Sequence, residues 1–217
     1  MSATPQATTS KYGPLEDYVH QRISGRQAAY IRRESDALAA MAKLRRGLNA
    51  PPGRLPDLWA LTLQGLPPAT YENSAYGPVP APEEPTAWES AAYDAMTIHA
   101  LHQQSRARPM HRRDHASLGA AVRRLGASSG AEDAVRSRFH VIGTATDHDA
   151  RLTHLRGLIG QLRAHEIPLD YARLAVDLYK LDTGRYADQV LLSWGRDYHR
   201  NPAPTTTPAT SETGDHQ

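Results

Sequence analysis

The sequence predicts an all-α fold of two helical bundles, a smaller N-terminal and a larger C-terminal one, with disordered termini. Apolar residues recur every three or four positions along most of the chain, which is the period of a helix, and no convincing period-two alternation is present. Capping residues and proline-rich breaks divide this pattern into successive segments. A proline-rich stretch in the middle of the chain separates the two bundles.

The predicted organisation has five parts. Residues 1–13 and 201–217 are polar and expected to be disordered, because they cannot bury enough apolar surface to offset the entropy of ordering. Residues 14–65 form the N-terminal helical lobe, and residues 87–200 form the C-terminal bundle. Between them, residues 66–86 contain six prolines, which exclude a regular element of any length and indicate a loop or linker.

The N-terminal lobe begins with a helical stretch from about residue 15 to residue 47. Ser24 and Ser35 each offer an N-cap ahead of an alanine-rich run, so a break is predicted at both positions. The prolines of residues 51–56 end this stretch. A short helix is expected at residues 57–64.

The C-terminal bundle is predicted to contain four to six helices. Thr86 followed by Glu89 matches a capping box at its start, and Ser117 and Asp170 are candidate caps of later helices. The clearest pattern lies at residues 147–165, where apolar residues recur at the spacing of a bundle seam. The seam residues are Leu152, Leu155, Ile159 and Leu162.

Composition excludes several classes of function. The 217 residues contain no cysteine, which excludes disulfides, cysteine-ligated zinc and thiol catalysis. No glycine-rich phosphate loop or nucleophile elbow is present, so the standard catalytic signatures are absent and we expect no cofactor. The N-terminal residues lack the apolar core of a signal peptide, and no apolar run approaches the ~18 residues of a membrane span. We therefore expect a cytoplasmic protein without a membrane partner.

Positive charge is concentrated in the middle of the chain. The formal net charge is only +2, but residues 101–163 contain 11 arginines and 5 acidic residues, whereas the rest has 14 basic and 18 acidic residues. Of the 25 cationic residues, 22 are arginine, whose planar guanidinium donates two hydrogen bonds to one phosphate. A GC-rich genome also produces this bias. The middle segment is the part expected to face a polyanion.

Candidate nucleic-acid-binding residues are arginines that the helical pattern leaves off the apolar faces. A row of cations that follows phosphates needs no base-reading side chains. Alternatively, such a run is only a solvated helix face, or its arginines cap helix carbonyl groups, which explains Lys43, Arg45 and Arg46 sufficiently. The candidates in the middle segment are Arg106, Arg108, Arg112, Arg113, Arg123, Arg124, Arg136, Arg151 and Arg156.

Aromatic residues offer a second way to bind nucleic acid. Trp88, Trp194 and Tyr198 are candidates for stacking on unpaired bases. Because tryptophans at helical spacing usually belong to a hydrophobic core, the core interpretation is favoured for them.

A metal-dependent hydrolase is a third hypothesis, since the chain contains 11 histidines. His99 with His102 and His111 with His115 have spacings that place two ligands on one helical face. No HExxH motif is present, no carboxylate is patterned with either pair, and arginines flank the second pair. The sequence therefore argues against a metal site.

Several blocks of the chain occur in an order that resembles one known family. The blocks are residues 98–103, Ser117-Leu118-Gly119, Arg138-Phe139, His154-Leu155-Arg156, Leu169-Asp170-Tyr171 and Trp194-Gly195. They cover most of residues 86–199, and the alanine-rich block ending at Arg32 and Arg33 adds to them. The chain resembles the CasB family, the small subunit of the type I-E CRISPR surveillance complex Cascade.

The resemblance implies an all-helical, non-catalytic protein placed in two head-to-tail copies. Its implied partners are the large and backbone subunits of Cascade, a second copy of itself, guide RNA, target DNA and displaced single-stranded DNA. Its implied role is to stabilise the R-loop by binding nucleic-acid backbone without sequence specificity, and Arg32 and Arg33 join the candidate residues. The alternative is a helical interaction module whose basic face docks an acidic protein.

Overall fold

The computed structural model describes residues 12–69 and 84–200. Within these residues the chain forms nine α-helices and two short 3-10 helices, at Gly47–Asn49 and Pro56–Leu58, and no β-strand. The prediction of an all-α fold is confirmed. The α-helices are α1 (Gly13–Ile31), α2 (Ser35–Arg46), α3 (Trp59–Thr62), α4 (Ala87–His102), α5 (Leu118–Ser129), α6 (Glu132–Thr144), α7 (His148–Ala164), α8 (Tyr171–Asp182) and α9 (Ala187–His199).

The predicted disordered and proline-rich segments lie mostly outside the described residues, which exclude 1–11, 70–83 and 201–217. Their disorder stays a prediction. At the first boundary, Tyr12 precedes α1 with a buried side chain, so the described helix begins inside the stretch assigned to the disordered N-terminus.

Helix α1 is continuous, and the predicted break at Ser24 is wrong. Ser24 lies within the helix, where its hydroxyl is 3.2 Å from Nδ1 of His20. Ile23 and Gln27 are buried on the face that packs against α4 and α8, so tertiary packing overrides the capping signal. The predicted break near Ser35 is confirmed, because α1 ends at Ile31 and α2 begins at Ser35, although Glu34 occupies the capping position.

The capping residues of the C-terminal helices are confirmed. Thr86 accepts from the backbone N–H of Glu89 at 3.2 Å, and the Glu89 carboxylate accepts in return from the Thr86 N–H at 2.9 Å. Ser117 and Asp170 accept from backbone N–H groups in the first turns of α5 and α8. These local bonds satisfy donors that a helix N-terminus leaves free, so each helix begins where its cap stands.

Helix α4 lies at the centre of the fold. It packs against α1, α2, α7 and α8 and is buried on almost every side. One hydrophobic cluster runs from Leu15 on α1 through α4 to Trp194 on α9. The predicted N-terminal and C-terminal parts therefore share packing along α1, and the boundary between two lobes at residues 66–86 stays a prediction.

Helices α5 and α9 approach each other at Gly119. A Cβ atom at this position would lie 2.0 Å from the carbonyl oxygen of Trp194. The Trp194 indole is itself fixed, because its Nε1 donates to the Asp177 carboxylate at 2.7 Å. The contact therefore requires a glycine on α5.

A buried ionic cluster joins α4, α7 and α8. Arg151, only 4% exposed, donates to one oxygen of Asp182 and, at 2.8 Å, to the carbonyl of Ala145. His148, one turn earlier on α7, lies 2.9 Å from the other oxygen of Asp182 and 3.2 Å from Asp94. Two cations and two carboxylates thus face each other where α4, α7 and α8 meet. We call Asp94, His148, Arg151 and Asp182 the ionic cluster.

The stability of the fold should depend on pH through His148. Hydrogen bonds with Asp182 and Asp94 raise its pKa to about 10, compared with ~6.5 in an unfolded chain. Above this lower value the folded protein keeps a proton that the unfolded chain releases, so rising pH favours unfolding until the folded histidine also titrates. The free energy of unfolding should therefore fall between about pH 7 and about pH 9.

Urea denaturation at several pH values measures this effect in the wild type and in His148→Gln. The fall in the wild type should be less than the full ~1.4 kcal/mol per pH unit, because the side chain is 35% exposed and screened by solvent. The variant lacks the titrating group, so its stability should change little over this range. Equal pH dependence in both proteins would contradict the role of His148.

Candidate nucleic-acid interface

The loop at residues 103–117, between α4 and α5, contains several of the predicted binding residues and is shaped from inside by Gln103. The buried Gln103 side chain donates to the carbonyl groups of Arg106 and Arg108, each at 2.9 Å. It also accepts from the backbone N–H of Met110 at 3.0 Å. Because the backbone is wound around this amide, the side chains of Arg106 and Arg108 remain at the surface.

The second half of the loop is held between α1 and the turn that joins α7 to α8. The Gln27 side chain accepts from the backbone N–H of His111 at 2.8 Å and donates to its carbonyl at 3.2 Å. On the other side, Leu169 donates to the Met110 carbonyl at 3.0 Å and accepts from the Arg112 N–H at 3.3 Å. The side chain of Arg112 therefore projects from a backbone that is fixed on both sides.

The ring of His111 connects the loop to α1 and α8 and adds no charge to the surface. Burial lowers the pKa of His111, so the ring is neutral at physiological pH. The backbone N–H of Tyr171 donates to its Nδ1 at 3.1 Å, which leaves the proton on Nε2 for a bond to Nδ1 of His20 at 2.9 Å. The side chain thus ties the loop to α8 and α1.

Three arginines lie together where the loop meets α5. Burial lowers the pKa of Arg124; the charge of Asp114 opposes this shift, whereas the neighbouring charges of Arg112 and Arg123 add to it. The Arg124 guanidinium donates to the Pro168 carbonyl at 3.1 Å, and Arg112 lies 3.8 Å from Asp114. Positive charge from two separate segments therefore converges beside the α7–α8 turn.

A second group of cations lies on the other side of the same turn. Arg106 forms an ion pair of 3.3 Å with Glu166, and Arg163 donates to the Gln104 side chain at 2.9 Å. Arg163 is not among the predicted residues. Its position off the apolar seam of α7, close to the end of that helix, is the signal that could have identified it.

The end of α1 adjoins this group. The hydroxyl of Tyr30 accepts from the backbone N–H of Ser105 at 3.1 Å, which brings Arg32 and Arg33 next to the loop. Both side chains are exposed, and Arg32 pairs with Glu34 at 2.8 Å.

We call the combined surface the basic loop face. It joins the end of α1, the 103–117 loop, α5 and the end of α7 around one turn. Among the described residues, five of its eight arginines have no carboxylate within ion-pair distance. Its arginines are Arg32, Arg33, Arg106, Arg108, Arg112, Arg123, Arg124 and Arg163.

The remaining predicted residues lie elsewhere. Arg113 points toward the start of α1, where it pairs with Asp17 at 2.6 Å. Arg136 pairs on the surface of α6 with Asp133, also at 2.6 Å.

Two predicted arginines of α7 face the interior or a cleft. Arg156 donates to the Asn49 side chain at 3.0 Å and lines a cleft of about 410 Å³. Arg151 belongs to the ionic cluster. The sequence pattern places it off the buried seam of α7, but the structure buries it because Asp182 supplies a carboxylate from another helix. We leave it out of the binding surface on this ground.

The aromatic residues considered for base stacking belong to the core. Trp88, Trp194 and Tyr198 are all buried, and Trp88 donates through Nε1 to the Pro67 carbonyl at 3.0 Å. Tyr198 stacks on Phe139 with ring centroids 5.7 Å apart. The core interpretation favoured by their helical spacing is therefore confirmed.

The histidines of the two pairs considered as metal ligands have other roles or environments in the structure. His99 and His102 are buried on α4, where His99 bonds to Gln27 and His102 to the Tyr171 hydroxyl. His111 is a buried connector and His115 is exposed. Within residues 12–69 and 84–200, no group of three or more histidine, aspartate or glutamate side chains is arranged to hold a metal ion. In the same residues, no helix combines the length and apolar character needed to cross a membrane.

Comparison with known proteins identifies a family and two solved structures that are similar to this chain. Residues 40–199 match the family described as CRISPR-associated protein Cse2. The crystal structure of CasB from Thermobifida fusca is similar, with 35% sequence identity, a TM-score of 0.68, and coverage of 86% of this chain and 98% of that one. A chain of a CRISPR RNA-guided surveillance complex has 25% identity, a TM-score of 0.57 and coverage of 85% and 91%. No curated protein sequence matches.

Proposed function

Because the chain belongs to the Cse2 family of CRISPR-associated proteins, which includes CasB, we propose that it is the non-catalytic small subunit of a type I-E Cascade complex. In this role it binds nucleic-acid backbone without sequence specificity, along the target strand and the displaced strand, and so stabilises the R-loop. Guide pairing supplies the sequence specificity of such complexes, so the subunit needs cations rather than base-reading groups.

One observation supports this proposal most directly, namely the convergence of the basic loop face. Its arginines come from three parts of the chain that are far apart in sequence, namely the end of α1, the 103–117 loop with α5, and the end of α7, and contacts around the turn between α7 and α8 bring them together. If these arginines only formed a solvated helix face, they would lie on one helix and point away from other cations. Bringing like charges together costs electrostatic free energy, which a bound polyanion would recover.

The ion pairs on this face are compatible with phosphate binding. Arg32 and Arg112 pair with Glu34 and Asp114, and all four side chains are substantially exposed. Exposed pairs of this kind contribute only ~0–1 kcal/mol, so a phosphate can replace the carboxylate at little cost. The buried pair of Arg151 has no such freedom, since its guanidinium is enclosed.

The partners follow from the same proposal. They are the large and backbone subunits of Cascade, a second copy of this chain, guide RNA, target DNA and displaced single-stranded DNA. The similarity to a chain of a CRISPR RNA-guided surveillance complex supports assembly with other subunits and with RNA.

Replacing Arg108 and Arg112 together with alanine tests the proposal. Both are exposed arginines of the 103–117 loop and belong to the basic loop face. We expect target binding by the reconstituted complex to weaken by about tenfold, because two charge-assisted bonds to phosphate are lost. If the wild type neutralises about six phosphates of a single strand, at ~0.7 units of slope each, its log-log salt slope is about −4, and the double variant should lose about 1.4 units of slope. Filter binding at several salt concentrations measures both quantities.

Arg136→Ala with Arg138→Ala is the matched control. It removes the same charge from α6, away from the basic loop face, and should leave affinity and salt slope close to wild type. Equal weakening by both double variants would indicate a general charge effect. Unchanged binding and slope in the Arg108 and Arg112 variant, with the protein folded, would refute the role of this surface.

A further inference from the structure

Trp59 is exposed, unlike the other two tryptophans of the chain. Half of its surface is accessible to solvent, whereas Trp88 and Trp194 are 2% and 1% exposed. It begins α3, whose neighbouring residues Leu58 and Leu63 are buried in the core. The helix is therefore anchored on one side and presents the indole on the other.

Helix α3 is held by cationic side chains. It is only four residues long and cannot be stable alone, and its carbonyl groups accept hydrogen bonds from α1. Arg22 donates to the Ala60 carbonyl at 2.9 Å and also to that of Gln64, and Arg26 donates to the Leu61 carbonyl at 2.9 Å. Directly before α3, Asp57 pairs with Arg46 at 3.0 Å. Three guanidinium groups thus border the segment that presents Trp59.

These arginines leave a surplus of positive charge around the segment that presents the indole. Arg22 and Arg26 bond only to neutral acceptors, and no carboxylate among the described residues lies within ion-pair distance of either. Asp57 is matched by Arg46, and Arg54 nearby is exposed. An exposed aromatic ring on a segment that is held by unneutralised guanidinium groups fits a ligand with both flat rings and negative charges.

This region is continuous with the basic loop face. Arg22, Arg26 and Tyr30 are spaced four residues apart and therefore follow one face of α1 over about 12 Å. Tyr30 bonds to Ser105, where the basic loop face begins. A strand that follows the arginines of that face would reach Trp59 by continuing along α1.

We propose that Trp59, with the guanidinium groups of Arg22, Arg26 and Arg46, forms a stacking site for an unpaired base of single-stranded nucleic acid. The indole takes the base, and the arginines take the flanking phosphates. The site does not discriminate between bases, because every base offers a flat π-face. The inference rests on the proposed function and adds a specific contact to it, at a place that the basic segment of the sequence does not include.

Tryptophan fluorescence tests the site in the full-length protein. The probe is an oligothymidylate of about ten nucleotides at low salt. Because Trp59 is the exposed member of three tryptophans, stacking should quench its emission on binding. Trp59→Ala should abolish this quenching and weaken binding by about tenfold, whereas Trp59→Phe, which keeps a ring, should retain most of the affinity. Leu38→Ala, which truncates another exposed apolar residue, should bind as the wild type does.

An abasic oligomer of the same length separates stacking from charge. It should bind the wild type and Trp59→Ala equally, because it carries phosphates without bases. Equal affinity of the oligothymidylate for both proteins, or binding without quenching, would overturn the stacking site and leave the backbone-binding function intact. If neither oligomer binds the wild type, both the stacking site and the backbone-binding function would be overturned. Loss of assembly with partner subunits in Trp59→Ala, with oligonucleotide binding unchanged, would identify Trp59 as a protein contact and refute the proposal.

Discussion

Replacing Asp182 with alanine is expected to lower the free energy of unfolding by about 3–5 kcal/mol. Asp182 accepts from both cations of the ionic cluster, Arg151 and His148. Without it, the Arg151 guanidinium stays enclosed with no carboxylate to balance its charge, and a buried unpaired charge is far more costly than an exposed one. Chemical denaturation monitored by circular dichroism measures the loss.

Asp133→Ala provides the comparison. Asp133 also forms a short ion pair with an arginine, but its side chain is 88% exposed. Its removal should change stability very little, because solvent screens both partners. Similar losses in the two variants would mean that burial of Arg151 does not determine the cost, and the account of the ionic cluster would have to be abandoned.

Gly119→Ala should be the second strongly destabilising substitution, at about 3 kcal/mol. The added Cβ would lie 2.0 Å from the carbonyl oxygen and 2.7 Å from the carbonyl carbon of Trp194. A backbone group cannot rotate aside as a flexible side chain can, so α5 and α9 must separate and expose part of the core between them. Thermal and urea unfolding should both show the loss.

Gly157→Ala is the matched substitution at an open position. It lies on α7, and a Cβ there would meet nothing within 4 Å. Alanine has the higher helix propensity, so this variant should gain up to about 1 kcal/mol. Opposite signs for the two glycine substitutions are the expected result, and a neutral or stabilising Gly119→Ala would show that the two helices are not in the contact described.

The parts of the fold that sequence reasoning predicted are those set by local interactions. The capping box of Thr86 and Glu89 and the cap at Asp170 involve residues within one turn, so their signals are complete in the sequence. Ser24 carries a similar local signal, yet the helix continues through it. The difference is that Ile23 and Gln27 are held by α4 and α8, which no local pattern reveals.

The candidate site was predicted less completely for the same reason. The position of Arg151 depends on Asp182, 31 residues away along the chain, and that of the 103–117 loop depends on Gln27, 84 residues before His111. Charge counting identified the basic segment but could not show which cations have a carboxylate opposite them. Trp59 drew no attention because a short helix gives too few positions to distinguish its buried face from its exposed one.

The packing of Gln27 has a consequence for how the molecule would meet a ligand. The loop is held by the Gln27 amide of α1 and by the amide of Gln103 at its own start, so its backbone has already lost much of its freedom. Little further ordering is then required when a partner binds, and the charges act as a rigid template. Buried hydrogen bonds therefore determine where the arginines lie on the surface. Replacing the buried amide of Gln27 with an aliphatic side chain would change no charge. It would nevertheless loosen the loop and disturb the spacing of its arginines.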